Sequence, residues 1–133
     1  MVGGRSPARE RALHLLYEAS MTDRDGPSVL ATQVVAADRY AEELVGGVHE
    51  HGAEIDSLIA ELAPRGWTPQ RMATLDRTIL QLSIYELAHR DDVPTGVILS
   101  EAVELAETYG TDDSPRFVNG LLAEAARRLR PAG

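Results

Sequence analysis

Glu86 and His89, in the stretch "ELAH", stand at i and i+3. That spacing lets one helix offer a carboxylate and an imidazole to a carboxylate-bridged di-iron centre, which also needs a second Glu-x-x-His and two further glutamates on facing helices. Only one copy occurs, so the pair reads as an exposed histidine near a helix end. His49 and His51 are two apart, which sends them to different helix faces and makes them a poor metal pair. Glu101, Glu104 and Glu107 recur at helical spacing and read as a solvated face. The chain has no cysteine, no phosphate-cradling glycine loop, no nucleophile elbow and no HExxH. These residues predict no catalytic group, no metal and no cofactor.

Binding chemistry is better represented. The stretch "TDDSPRFVNGLL" holds the only phenylalanine, followed by an Asn and a Gly inside a helical pattern, where Gly costs about 1 kcal/mol relative to Ala. On a helical wheel from Phe117, the apolar Val118, Leu121, Leu122, Ala125 and Leu129 fall within roughly 40–140°, with Phe117 at the edge of the stripe and Asn119 and Gly120 off it. Phe117 thus occupies a first turn whose amides can take an anion, and its ring can stack on a base. The competing reading is that Phe117 closes the core and Gly120 eases the approach of a neighbouring helix. Arg5 and Arg9 open an earlier helix, and Tyr17 follows two turns after Arg9, a composition suited to single-stranded RNA.

Net charge is −8, which argues against nucleic acid until its distribution is considered. Arg5, Arg9 and Arg11 outnumber Glu10 and Glu18 at one end, and Arg116, Arg127, Arg128 and Arg130 outnumber Asp113 and Glu124 at the other. Two mildly basic ends flank a strongly acidic body. Every basic residue is Arg, the planar fork suited to phosphate, though a GC-rich genome explains the missing Lys equally well.

The elements that must carry these residues are helices throughout, with no strand-period alternation. Ser6-Pro7, Thr68-Pro69 and Ser114-Pro115 read as hydroxyl N-caps followed by Pro. Helices are predicted over 7–21, weakly over 28–37, from Asp38 onward with a break at Gly52, over 74–88, over 97–109 and from Ser114. In the 97–109 helix Ile98, Ala102, Leu105 and Tyr109 face inward and Glu101, Glu104 and Thr108 outward. The 74–88 helix is apolar on two sides, Leu75, Ile79 and Leu82 against Leu80, Ile84 and Leu87, so it is either central or offers one side to a partner. The class is all-α, a bundle of about seven helices in two packed helical subdomains within one domain over 1–133, with a subdomain break near 64–69 at "APRGWTP". At 44% hydrophobic and 26% charged the composition is globular, and with no apolar run near the roughly 18 residues of a membrane span a cytoplasmic protein is expected.

"ARERALHLLYEA", "LDRTILQLSIYEL" and "DDVPTGVILSEAVELAETYGTDDSPRFVNGLL", in this order and spacing, resemble the NusB family over about residues 5–130. "RGWTPQRM" resembles the actinobacterial form of the linker. The resemblance implies a non-enzymatic adaptor. NusB-like proteins pair with NusE, a small-subunit ribosomal protein, and the pair binds boxA, a single-stranded element of nascent RNA. That loads an RNA polymerase antitermination complex, notably in ribosomal RNA operons. By position it implies Arg5, Arg9, Tyr17, Asp113, Ser114 and Phe117 near RNA, and Asp76 against NusE. Arg77, Leu80 and Ile84, on the outer side of the same helix, would form the neighbouring protein surface. Family members often carry a run of arginines before the first helix, where this chain has only "RSPARER". Each lost phosphate contact lowers the salt slope by about one unit, so RNA affinity is expected to lean on NusE, whose basic residues would suit the acidic body.

Three alternatives accompany this reading. NusB-like domains also open ribosomal RNA cytosine methyltransferases, which need a catalytic domain afterwards, whereas "RRLRPAG" reads as a natural tail. A protein-binding adaptor or self-associating homodimer that masks its RNA face is the second. A helical metalloenzyme resting on Glu86 and His89 is the third.

Overall fold

Residues 5–68 and 71–131 are described in the computed structural model, and within them every regular element is a helix. The order is α1 (Ser6–Met21), α2 (Gly26–Ala31), α3 (Arg39–Glu50), α4 (Gly52–Leu62), α5 (Thr74–His89), α6 (Thr95–Tyr109) and α7 (Ser114–Leu129). The helices α1, α2 and α3 pack on one another, as do α5, α6 and α7, and α4 lies against α5 and α7. Among the described residues no helix is long and apolar enough to cross a membrane.

The two-sided apolar pattern of α5 resolves in favour of a central helix. It touches α1, α3, α4, α6 and α7, and Ile79, Leu80, Leu82, Ile84 and Leu87 are all buried. Leu80 and Ile84 therefore do not form an outer partner surface. Both apolar faces of α5 are consumed by neighbouring helices, the outcome physics favours for a helix hydrophobic all round. Close packing also depends on Gly47 of α3, where a β-carbon would come within 2.2 Å of the Tyr85 ring.

Local capping differs from the expected pattern. Asp25 and Asp38 accept from the amides of Ser28 and Ala41 at 2.8 and 2.9 Å and start α2 and α3. Ser6 and Ser114 instead lie inside their helices, after Arg5 and Asp113, which cap without a side-chain bond. The expected start at Pro69 lies outside the described residues. Thr68 O accepts from the amides of Arg71 and Met72, and α5 begins at Thr74. The chain does break at His51, between α3 and α4.

The core holds a charged cluster. Arg9 of α1 is 2% exposed and Glu86 of α5 is 1% exposed. The Arg9 guanidinium donates twice to Glu86, from Nε at 2.9 Å and Nη2 at 2.8 Å, and from Nη1 to Glu101 of α6 at 2.9 Å. Tyr40 of α3 donates to the same Glu86 at 2.5 Å, and Ser6 donates to Glu101. Burial opposes the charge on Arg9, but the hydrogen bonds and field of Glu86, with Tyr40 and Glu101, more than offset it and raise its pKa. Burial, then the bond to Glu86, pushes the Tyr40 phenol well above its ordinary range.

Two expectations are thereby corrected. Arg9 is a structural ion-pair partner, its donors spent on carboxylates and closed to phosphate. Glu101 is buried rather than on a solvated face, because its side of α6 meets the Arg9 guanidinium. Glu86 is the same case: a carboxylate claimed by Arg9 and Tyr40.

Arg130 closes another gap. Its guanidinium donates to the carbonyls of Glu86, Leu87, Arg90 and Val93 at 2.7–3.2 Å. It thus caps the C-terminal end of α5, whose last carbonyls have no helical partner.

Replacing Arg9 with Met strands two buried carboxylates and is expected to cost about 3–5 kcal/mol. Arg5, whose side chain is 41% exposed in a 3.6 Å pair with Asp92, should cost under about 1 kcal/mol in the same change. Urea unfolding followed by circular dichroism distinguishes the two.

Candidate nucleic-acid interface

The turn into α7 is built by small residues. Ser114 Oγ, buried, accepts from the amide of Thr111 at 3.0 Å. Gly110 must be glycine because a β-carbon would lie 2.6 Å from Ser114 and 2.8 Å from the carbonyl of Ala106. Ser114 therefore shapes this turn from beneath while also lining the floor of a neighbouring groove. The turn leaves Thr111 and Asp113 exposed and sets Phe117 one turn into α7.

Phe117 is half-buried and packs against the core, while its ring lies 5.5 Å from that of Trp67 at 35°. Trp67 owes its position to the turn Pro64–Trp67, closed by a 2.9 Å bond from the Trp67 amide to Pro64 O. Gly66 adopts φ +88° in that turn, a conformation in which glycine carries no steric penalty. Trp67 remains 48% exposed. Phe117 closes the core with one face and edges the surface with the other. Gly120 is different. A β-carbon there would meet nothing within 4 Å, so it eases no internal packing, and it and Asn119 lie open on α7.

Trp67, Phe117, Arg71, Arg116 and Asp113 line a groove of about 610 Å³. A second, of about 420 Å³, is lined by His14 and Tyr17 of α1 and Tyr109 at the end of α6. The two share Ala73, Asp76 and Thr111, so they form one continuous furrow with aromatic side chains at both ends. Tyr109, expected inward, is 38% exposed. It meets His14 edge-on at 4.9 Å and donates to Glu10 at 2.5 Å, and that bond raises the pKa of its phenol.

Asp76 sits at the middle of the furrow, in the first turn of α5, where the helix dipole favours a carboxylate. Its Oδ1 is buried and accepts no hydrogen bond. An unmatched buried acceptor costs about 1–3 kcal/mol.

Of the residues anticipated at an RNA or partner surface, the structure brings Tyr17, Asp76, Asp113, Ser114 and Phe117 into one furrow, Ser114 at its floor. Arg77 is partly exposed beside them and donates to Ser20 Oγ at 3.0 Å. Arg5 lies elsewhere, over the Tyr40 ring at 4.3 Å and beside Asp92. Arg9, Ser114, Leu80 and Ile84 are buried. Trp67, Arg71, Arg116, His14 and Tyr109 were not anticipated. The basic-aromatic composition of "RGWTPQRM" was the available signal for the first two.

The model of the NusB family matches residues 6–127. A transcription antitermination protein NusB from Acidothermus cellulolyticus is 49% identical over 123 residues, covering 90% of this chain and 84% of that protein. The chain belongs to the NusB family. Its fold follows suit. The structure of T. maritima NusB superposes with a TM-score of 0.83 at 30% identity, over 92% of this chain and 90% of that one. A crystal structure of antitermination factors NusB and NusE in complex with dsRNA has the same fold, at TM-score 0.80 and 24% identity over 93% and 96% of the two chains. The family is one of transcription antitermination proteins, a binding role and not a catalytic one.

Substituting Asp76 with Ala removes an unsatisfied acceptor together with a favourable dipole contact worth about 0.3–1 kcal/mol. The free chain is expected to be unchanged or stabilised by on the order of 1 kcal/mol, in contrast to the usual loss at a buried site, as read from the urea midpoint.

Proposed function

We propose that this chain is a transcription antitermination factor that binds boxA-type single-stranded RNA jointly with the ribosomal protein NusE. The pair would load the RNA polymerase antitermination complex in ribosomal RNA operons, in the cytoplasm where nascent RNA is made. The observation that carries the reading is the furrow itself, with Tyr17 and Tyr109 at one end and Trp67 and Phe117 at the other. Exposed aromatic faces stack on bases whatever their sequence, at about 1–3 kcal/mol per base. Arg71 and Arg116 supply cations beside Trp67 and Phe117, and Asp76, lacking a donor, suits a basic or amide-bearing protein partner. The solved relative that holds NusB and NusE carries double-stranded RNA. Stacking on this furrow requires bases freed from pairing, so a single strand is the better ligand here.

The chain brings few free cations to this surface. Arg9 and Arg130 are engaged inside the fold, and net charge is −8. NusE would supply the missing positive charge and dock on the acidic body, which makes RNA affinity a property of the pair.

Trp67 is the only tryptophan and serves as an intrinsic probe. Adding boxA-like RNA in the presence of NusE, itself matched by a NusE-only control, should quench its emission, with binding tightening relative to the chain alone. Tyr17→Ala should weaken RNA binding by about 1–3 kcal/mol without loss of fold, and Arg116→Ala should reduce the salt slope by about 0.7. Equal affinity with and without NusE, or undiminished binding by Tyr17→Ala and Arg116→Ala together, would overturn the reading.

A further inference from the structure

Three ligand-type side chains meet where α3 passes into α4 and α5 ends. His51 is the single residue between α3 and α4, Glu54 follows at i+3 in the first turn of α4, and His89 is the last residue of α5. None of them lines the furrow. The two imidazoles stack with centroids 4.0 Å apart and planes at 24°, and the Tyr85 ring lies 5.3 Å from His89 and 6.1 Å from His51.

The Glu54 carboxylate reaches both rings, Oε1 at 3.4 Å from His89 Nε2 and Oε2 at 3.8 Å from His51 Nδ1. Both separations exceed the roughly 2.7–3.2 Å of an ordinary N–H···O hydrogen bond. Donor atoms held at about 2.0–2.1 Å by one tetrahedral ion stand about 3.3 Å from each other. A ligand atom from each of the three residues falls within 4.8 Å of the others, close enough for side-chain rotation to bring all three onto one ion. Closing the shell requires one imidazole to swing out of the stack. Side-chain exposures of 28% for His51, 31% for His89 and 63% for Glu54 leave room for that, and for water to complete the coordination.

Two imidazoles and one carboxylate select against Mg²⁺ and Ca²⁺, which prefer all-oxygen shells, and suit Zn²⁺ and its first-row neighbours. We infer that His51, Glu54 and His89 form a binding site for a divalent transition-metal ion, Zn²⁺ foremost, with water in the remaining position. The role is structural. An ion there ties the α3–α4 joint to the C-terminal end of α5, a junction otherwise maintained by Tyr85 against Gly47 and by Glu43, which accepts from Tyr85 and Arg90.

The test uses the untagged, chelator-treated full chain, titrated with ZnCl₂ by calorimetry and with CoCl₂ by visible absorption. The expected result is a single saturable site of micromolar affinity, tetrahedral cobalt bands and a raised Tm. His51→Gln and His89→Gln should each weaken Zn²⁺ binding by roughly tenfold or more, while far-UV circular dichroism reports an intact fold. His49→Gln, outside the trio, should bind like the parent chain. Absence of saturable binding in the micromolar range would overturn the inference. So would undiminished binding by both folded variants, or a loss in His49→Gln equal to theirs.

Discussion

An arginine fully withdrawn from water must be matched by carboxylates placed around it, and the organisation of this protein follows from that requirement at Arg9. The guanidinium joins α1 to α5 through Glu86 and to α6 through Glu101, and Tyr40 brings in α3. Apolar packing alone tolerates sliding of one helix along another, because methyl groups are interchangeable contacts. A bidentate arginine–carboxylate pair tolerates very little, since its two parallel bonds define both distance and plane. Fixing α1 against the C-terminal half of α5 in this way sets where the rest of α1 runs. Two turns on, Tyr17 and His14 arrive beside Tyr109 and the first turn of α5.

The furrow is a product of that registration. Its components come from the end of α1, the turn after α4, the start of α5, the end of α6 and the start of α7. None of these is a site alone. Exposed aromatic rings are ordinarily a liability on a small acidic protein, and the tilted packing of Trp67 against Phe117 and the edge-on contact of His14 with Tyr109 limit the apolar area left to water. A ligand that stacks on them gains the remainder. Asp76, buried with an acceptor unmatched, adds a position that is destabilising in the free chain.

The allocation of arginines explains why charge counted along the chain misleads. Arg9 neutralises buried carboxylates, Arg130 caps α5, Arg90 is shared by Glu43 and Asp92, and Arg11 donates to Gln33 and to the Val35 carbonyl. Arg9 and Arg130 serve the interior, Arg5, Arg127 and Arg128 pair with acids at the surface, and Arg71 and Arg116 line the furrow. An acidic surface with few free cations favours recruitment of a basic protein before, or together with, an RNA strand.

Helix class and the number of helices were legible in the linear order of residues, as was the two-sided apolar pattern of α5. The 3.6-residue apolar period, proline near helix starts and the Gly and Pro breaks act over a few neighbours, whatever the rest of the chain does. That Tyr17, Asp76, Asp113 and Phe117 belong to one surface was legible too, through likeness to a family and through the one aromatic in a polar first turn. Burial of charge was not. Glu101 and Arg9 fall where periodicity marks a wet face or a free helix end, and only their meeting across three helices makes an interior position favourable. Leu80 and Ile84 had two local readings of equal merit, and the arrival of neighbouring helices on both sides decided between them. The same holds for Trp67 beside Phe117 and for His51 beside His89. Pairs so distant along the chain are joined by packing alone, which no local pattern encodes.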